Sequence, residues 1–134
     1  PGSMCVGVNG GVLTTGSSGF VENKQGSVVT AACPAERKNI NGAWATKFKA
    51  SVFVNDASTT GNICCRAVIR DTAGQTAESA DVCTSGTTGS GSQTLTTPQV
   101  TWSYTFAHFM VRCTVPAING TATSKIFTYR SIQE

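Results

Sequence analysis

Acid–base or nucleophilic chemistry needs an activated side chain, and here the choices are few. There is one histidine, His108, six cysteines, and the carboxylates Glu22, Glu36, Asp56, Asp71, Glu78 and Asp81 ahead of Glu134. No Gly-x-Ser-x-Gly elbow presents a serine for His108 to activate, and His108 itself reads as a surface or edge-strand residue. Glycoside hydrolysis would need two carboxylates on facing walls, yet Asp56 and Asp71 stand in turn-like sequence and most of the others at turn or exposed strand positions. The cysteines Cys5, Cys33, Cys64, Cys65, Cys83 and Cys113 are even in number, lack CxxC spacing and have no histidine partners. They read as a disulfide framework rather than as nucleophiles or metal ligands. No Asp-x-Asp-x-Asp cluster suggests calcium. The expectation is a protein without catalysis, metal or cofactor.

Binding chemistry is better represented. Trp102, Tyr104 and Phe106 alternate, so on one strand they share a face and form a flat platform on which sugar rings stack. Trp44 follows Asn41-Gly42-Ala43 and adds a loop aromatic, while Asn41, Gln99 and Arg112 offer bonds to sugar hydroxyls. Two readings stay open for the row. It is a platform if the alternation runs on unbroken, and it is core if a bulge near Ala107-His108 turns it inward. Trp44 is either exposed or a plug at one end of the fold.

The elements that must position these residues are strands. Alternating runs lie between Gly, Asn, Asp, Ser and Pro punctuation, and no segment shows a helical apolar stripe over ten residues. Strands are expected near Val12–Thr15, Gly19–Glu22, Ser27–Cys33, Lys47–Val54, Asn62–Arg70, Thr76–Cys83, Gln93–Thr97, Gln99–Ala107, Phe109–Val115 and Lys125–Arg130. Pro34-Ala35-Glu36-Arg37 is expected to form one helical turn, Ser85–Ser92 a mobile loop, and Asn119-Gly120-Thr121 a tight turn rather than a glycosylation site. In Lys47–Val54, alternation buries Phe48, Ala50, Val52 and Val54 and turns Lys47, Lys49, Ser51 and Phe53 outward. The length suits one domain over residues 5–134, with residues 1–4 read as a cloning remnant. Charged residues are 13% of the chain and the net charge of +3 is thinly spread, which argues against nucleic acid. No apolar run is long enough to span a bilayer, so no membrane insertion is expected.

Ala73-Gly74 sits midway between two alternating runs and marks a hairpin. Pairing about that centre sets Cys64 opposite Cys83, Arg66 opposite Asp81 and Val68 opposite Ser79. Cys65 then faces the core with Ile63, Ala67 and Ile69. Cys113 lies in the apolar row of Phe109, Val111 and Val115, so Cys65 is expected to reach across the interior to it. Cys5–Cys33 follows by elimination, and a vicinal Cys64–Cys65 bridge is the competing possibility.

A longer pattern runs through the chain: Cys33-Pro34, Val52-Phe53-Val54-Asn55-Asp56, Cys64-Cys65, Ser90-Gly91-Ser92-Gln93-Thr94-Leu95, Arg112-Cys113-Thr114-Val115-Pro116 and Tyr129-Arg130. It resembles a group of small secreted, disulfide-containing bacterial proteins of uncharacterised function, over Cys5 to Glu134. Where this chain has His108-Phe109-Met110, similar sequences often carry tyrosines. The resemblance implies export to a secreted or periplasmic location, and an all-β, disulfide-stapled antiparallel β-sandwich of jelly-roll or immunoglobulin-like type. It also implies that the second cysteine of the doublet pairs with the one before Val-Pro, and it transfers no active site. The expected function is a binding module for an extracellular glycan, with a structural or protein-interaction role, adhesin-like or inhibitor-like, as the alternative.

Overall fold

The computed structural model describes residues 2–85, 91–102 and 106–134. In chain order the strands are β1 (Val6–Gly7), β2 (Thr14–Thr15), β3 (Val21–Glu22), β4 (Val29–Ala35), β5 (Asn39–Ile40), β6 (Ala43–Trp44) and β7 (Lys47–Asn55). They continue as β8 (Cys64–Asp71), β9 (Thr76–Glu78), β10 (Val82–Cys83), β11 (Ser92–Thr96), β12 (Val100–Thr101), β13 (Ala107–Val115) and β14 (Lys125–Gln133). The first sheet runs β1-β4-β13-β8, with β9 and β10 sharing the far edge of β8. The second runs β2-β3-β14-β7, with β11 and β12 sharing the far edge of β7. Every described pairing is antiparallel, and the chain changes sheet at most of its long connections. Residues Gly2–Met4 form a short 3-10 turn packed on β14 and β4.

The sandwich follows from alternation. On β7, Phe48, Ala50, Val52 and Val54 are fully buried while Lys47 is exposed and Phe53 is 41% exposed. Ser51 points outward yet is buried, its hydroxyl 3.1 Å from that of Thr96. On β8 and just before it, Ile63, Cys65, Ala67 and Ile69 are fully buried, as the hairpin argument requires. The two sheets meet where Phe48 of β7 stacks on Phe109 of β13, centroids 4.9 Å apart and planes 21° from parallel. At one end Tyr129 of β14 donates its hydroxyl hydrogen to the carbonyl of Pro34 on β4, a 2.5 Å bond from sheet to sheet.

All three bridges are Cys5–Cys33, Cys64–Cys83 and Cys65–Cys113, and no cysteine is free. The vicinal alternative is thereby excluded. One detail is corrected. Cys65 and Cys113 are directly opposed on neighbouring strands of the first sheet, so their buried bridge staples that sheet along its inner face and does not cross the interior. Cys64 and Cys83 are likewise opposed. Cys5 precedes Val6, which pairs with Ala32, so Cys5 stands opposite Cys33. The shared geometry is a directly opposed cross-strand pair, with Cα atoms 4.0–4.1 Å apart.

The hairpin register needs a second correction. Val68 faces Glu78, not Ser79. The turn is a three-residue loop, Thr72 to Gly74, in which Gly74 takes the left-handed conformation (φ 85°) that this loop type demands. The Asp71 carboxylate holds it by accepting hydrogen bonds from the Ala73 and Gln75 N–H groups. One extra residue on the returning arm, between Glu78 and Val82, then restores the expected pairing at the cysteines. There Ser79 donates its N–H to the Ala67 carbonyl and accepts the Ala67 N–H on its hydroxyl. Asp81, at the end of the bulge, still grips Arg66 through two bonds of 2.7 and 2.9 Å.

Three other expectations change. Pro34 and Ala35 do not begin a helical turn but extend β4, opposite Met110 and Phe109. Pairing with β1 reaches only Ala32, so at Pro34 β4 is an edge on that side, where a residue without an N–H is tolerated. Thr76–Cys83 is two strands split by the bulge. Gln99–Ala107 is not one strand, since β12 ends at Thr101 and β13 begins at Ala107. Most of the Ser85–Ser92 loop lies outside the described residues. Asn119 and Ala122 exchange backbone hydrogen bonds around Gly120-Thr121, the expected tight turn.

Replacing both Cys65 and Cys113 by serine should remove about 3–4 kcal/mol of stability and lower the melting temperature by roughly 10 °C, read by calorimetry against the oxidised parent. A second outcome concerns the Arg66–Asp81 pair. The hydrogen bonds from Arg66 hold the Asp81 carboxyl below the usual carboxylate range. A depressed folded-state value means that the pair stabilises the fold at neutral pH and that this contribution disappears as the pH falls through the Asp81 titration. NMR titration of Arg66→Gln should show the Asp81 pKa rising back toward its ordinary range, at a stability cost under about 1 kcal/mol because the pair is solvent-screened.

Candidate functional site

The hollow that gathers aromatic residues lies at one end of the sandwich, and a short hairpin builds its rim. Asn41 and Gly42 both have positive φ, 52° and 85°, the two-residue type I′ turn for which Asn-Gly is the favoured pair. This turn joins β5 to β6, sets Trp44 opposite Asn39, and leaves Trp44 48% exposed. The hairpin is anchored from below. Lys38 donates its N–H to the Gln133 side-chain carbonyl at 2.7 Å, and the Gln133 amide donates to the Glu36 carbonyl at 2.7 Å. Arg37 is a strut beneath it: its Nε donates to the Ala45 carbonyl at 2.8 Å and its guanidinium lies 5.4 Å from the centre of the Phe109 ring. Burial pushes the Arg37 pKa down.

The opposite rim comes from β13. Ala107 pairs with Asp71 and His108 with Arg70, which brings Phe106 beside Thr72 of the β8–β9 turn. Phe106 is 73% exposed. Trp44, Phe106 and Ala107 give the hollow apolar walls; Glu36, Arg37, Thr72 and His108 supply the polar groups, around a volume of about 400 Å³. That size and mixture suit a small organic ligand with one apolar face and several hydroxyls.

The residues expected to bind are thus partly gathered and partly dispersed. Trp44 and Phe106 meet in the hollow. Trp102 does not join them: it is half-buried against the core, and its backbone N–H donates to the Thr46 carbonyl. Tyr104 lies outside the described residues; Trp102 follows the end of β12 and Phe106 precedes β13, so these two do not share one continuous strand. Arg112 stands elsewhere, on the outer face of the first sheet, where its Nη1 bonds Glu78 at 3.0 Å. Sequence reasoning passed over Glu36 and Thr72 as site residues. The Asn41-Gly42 pair marked Trp44 as a loop aromatic but left open whether it is exposed or plugs one end of the fold, and the hollow's other wall depends on pairing between β8 and β13.

The carboxylates are largely engaged. Asp56 is buried and accepts from the Ser58 N–H at 2.9 Å and the Thr84 hydroxyl at 2.5 Å. Asp71 holds its turn. Glu78 bridges Arg66 and Arg112, and Asp81 pairs with Arg66. Glu22 accepts a 2.6 Å bond from the Thr123 hydroxyl and lies 3.4 Å from the Lys24 amine; the Thr123 bond is the main reason its pKa is lowered.

No protein-family model and no curated protein matches the chain. Among solved structures, one described as "CBM4 structure and function" is 12% identical with a TM-score of 0.55, covering 98% of this chain and 95% of the other. The structure of TmCBM61 in complex with beta-1,4-galactotriose is 10% identical with a TM-score of 0.50, covering 97% of this chain and 87% of that one. At such identities the likeness is one of fold, and the fold is a disulfide-stapled antiparallel β-sandwich.

Proposed function

We propose that this chain is a non-catalytic, exported carbohydrate-binding module, and that the Trp44–Phe106 hollow is its sugar site. The observation that carries the reading is the pairing of two solvent-exposed aromatic rings with Glu36, Thr72 and His108 in one hollow on a rigid sandwich. A sugar ring is apolar on its C–H faces and polar around its rim. The rings of Trp44 and Phe106 suit the faces, and the carboxylate, hydroxyl and imidazole suit the hydroxyls. Loops and turns at the end of a stapled scaffold are also where binding residues commonly sit. The fold shared with the two carbohydrate-binding-module structures supports the same reading.

Absence of catalysis is supported by the occupied carboxylates. Of the six candidates, five hold turns or ion pairs, which leaves Glu36 without a second carboxylate among the hollow's lining residues. Export is supported by three disulfides, which persist in oxidising compartments.

A neutral-glycan array that includes β-1,4-galactotriose is the direct test. Binding should appear with the parent and fall about tenfold or more in Trp44→Ala and in Phe106→Ala, while the melting temperature of each stays close to the parent's because both side chains are exposed. A folded parent that binds no neutral glycan would sink the reading and favour a protein-interaction role. Fluorescence gives an independent readout. Sugar binding should protect the exposed Trp44 from acrylamide quenching, and Trp44→Phe should remove that protection and leave only the half-buried Trp102 signal.

A further inference from the structure

The outer face of the first sheet carries a second groove that the aromatic hollow does not use. Outward positions on β8 are Arg66, Val68 and Arg70, of which Val68 is covered, and on β13 they are His108, Met110 and Arg112, by the same alternation that buries Cys65 and Cys113. The loop after β1 rises beside them. Val8 donates its N–H to the Thr30 carbonyl, Asn9 and Gly10 take left-handed conformations, and Gly11 donates back to Val8. Between loop and sheet lies a groove of about 530 Å³ with Met110 and Ala32 as floor and Asn9, Thr30, Arg70 and Arg112 around it.

Charge on this face is arranged unevenly. Asp81, Arg66, Glu78 and Arg112 form a ladder across three strands in which two carboxylates neutralise two guanidiniums. Within it only Nη1 of Arg112 is committed, to Glu78. Among the described residues its Nε and Nη2 make no hydrogen bond, although a guanidinium carries five N–H donors. Arg70 is exposed and pairs with no carboxylate among the described residues; the residues opposite it are His108 and Thr76. The groove therefore holds one uncompensated cation and one half-used one. Their strand positions are four residues apart in register, about 13 Å along the sheet. Both arginines nevertheless line one groove of about 530 Å³, which has room for a chain that carries more than one anionic group.

We infer that this groove is a second site, and that it binds an acidic oligosaccharide whose carboxylate or sulfate groups are held by Arg70 and Arg112. Guanidinium forks match both groups bidentately, and Asn9 and Thr30 meet the neighbouring hydroxyls. The carbohydrate nature of the ligand rests on the function proposed above. The anionic selectivity rests on the two arginines alone.

The test is calorimetry on the intact, oxidised protein with an oligogalacturonate, a sulfated oligosaccharide, a neutral oligosaccharide of equal length and a poly-glutamate peptide. At least one acidic sugar should bind at least about tenfold more tightly than the neutral one and weaken with added salt. Arg70→Gln and Arg112→Gln should each cost it about tenfold or more, with Trp44→Ala and Phe106→Ala leaving it unchanged. Arg70 makes no side-chain ion pair or hydrogen bond among the described residues, so its variant separates ligand binding from folding. Binding confined to the carboxylated or to the sulfated sugar identifies which group is read. Failure of both to bind, an acidic preference that survives the double arginine variant, or equal binding of poly-glutamate overturns the inference. The two proposals fail separately: neutral-glycan binding lost in Trp44→Ala without acidic-sugar binding removes this site only, and acidic binding without neutral binding removes the other only.

Discussion

Everything that this molecule presents to solvent depends on one sheet being held strand to strand by sulfur. Each disulfide joins residues directly opposite one another on neighbouring strands, so each fixes a register as well as closing a loop. A strand shifted by one residue would turn its buried row to water. With Cys65 covalently tied to Cys113, β8 and β13 cannot slip, and the pairing that brings Phe106 beside Thr72 and Arg70 beside His108 is set by the same bond. The second sheet has no such staple and is positioned through the first, by the Phe48–Phe109 stack and the Tyr129–Pro34 hydrogen bond.

Within this frame the buried polar side chains at the loop connections are met by partners. Asn23, fully buried, donates its amide hydrogens to the carbonyls of Ser27, Val115 and Pro116 and accepts the Gln25 N–H. Asp56 joins Ser58 and Thr84 at the connection between β7 and β8. Such groups are costly to bury without partners, and their full engagement specifies one arrangement of the loops. Outside this engaged interior stand the groups on which the two proposals rest: the exposed rings of Trp44 and Phe106 at one end, and on one face Arg70 with Arg112, the latter bonded to Glu78 through Nη1 alone.

The disulfide pairing was legible because period two is rigid. Once Ala73-Gly74 is taken as a turn, Cys64 and Cys65 must face opposite ways, and their partners follow from the rows in which the other cysteines stand. The details of that hairpin were not legible. A three-residue loop and a compensating bulge place Glu78, rather than Ser79, beside Val68, and nothing local announces that two offsets cancel before the cysteines. The expected strand Gln99–Ala107 failed for a related reason. Alternation tells which residues share a face while a strand lasts, but it does not say where the strand stops, and β12 ends at Thr101, before the row begins.

By itself, then, the order of residues determined the all-β class and the buried faces of β7 and β8, and it pointed to the bridges without closing out the vicinal alternative, because each depends on short-range periodicity or on a turn preference. Only the tertiary structure decided that Trp44 and Phe106, far apart in the chain, share one hollow, that Trp102 packs on the core instead, and that Arg112 faces a different groove with Arg70. Those placements come from long-range strand pairing and from the packing of one sheet on the other, which no local pattern encodes.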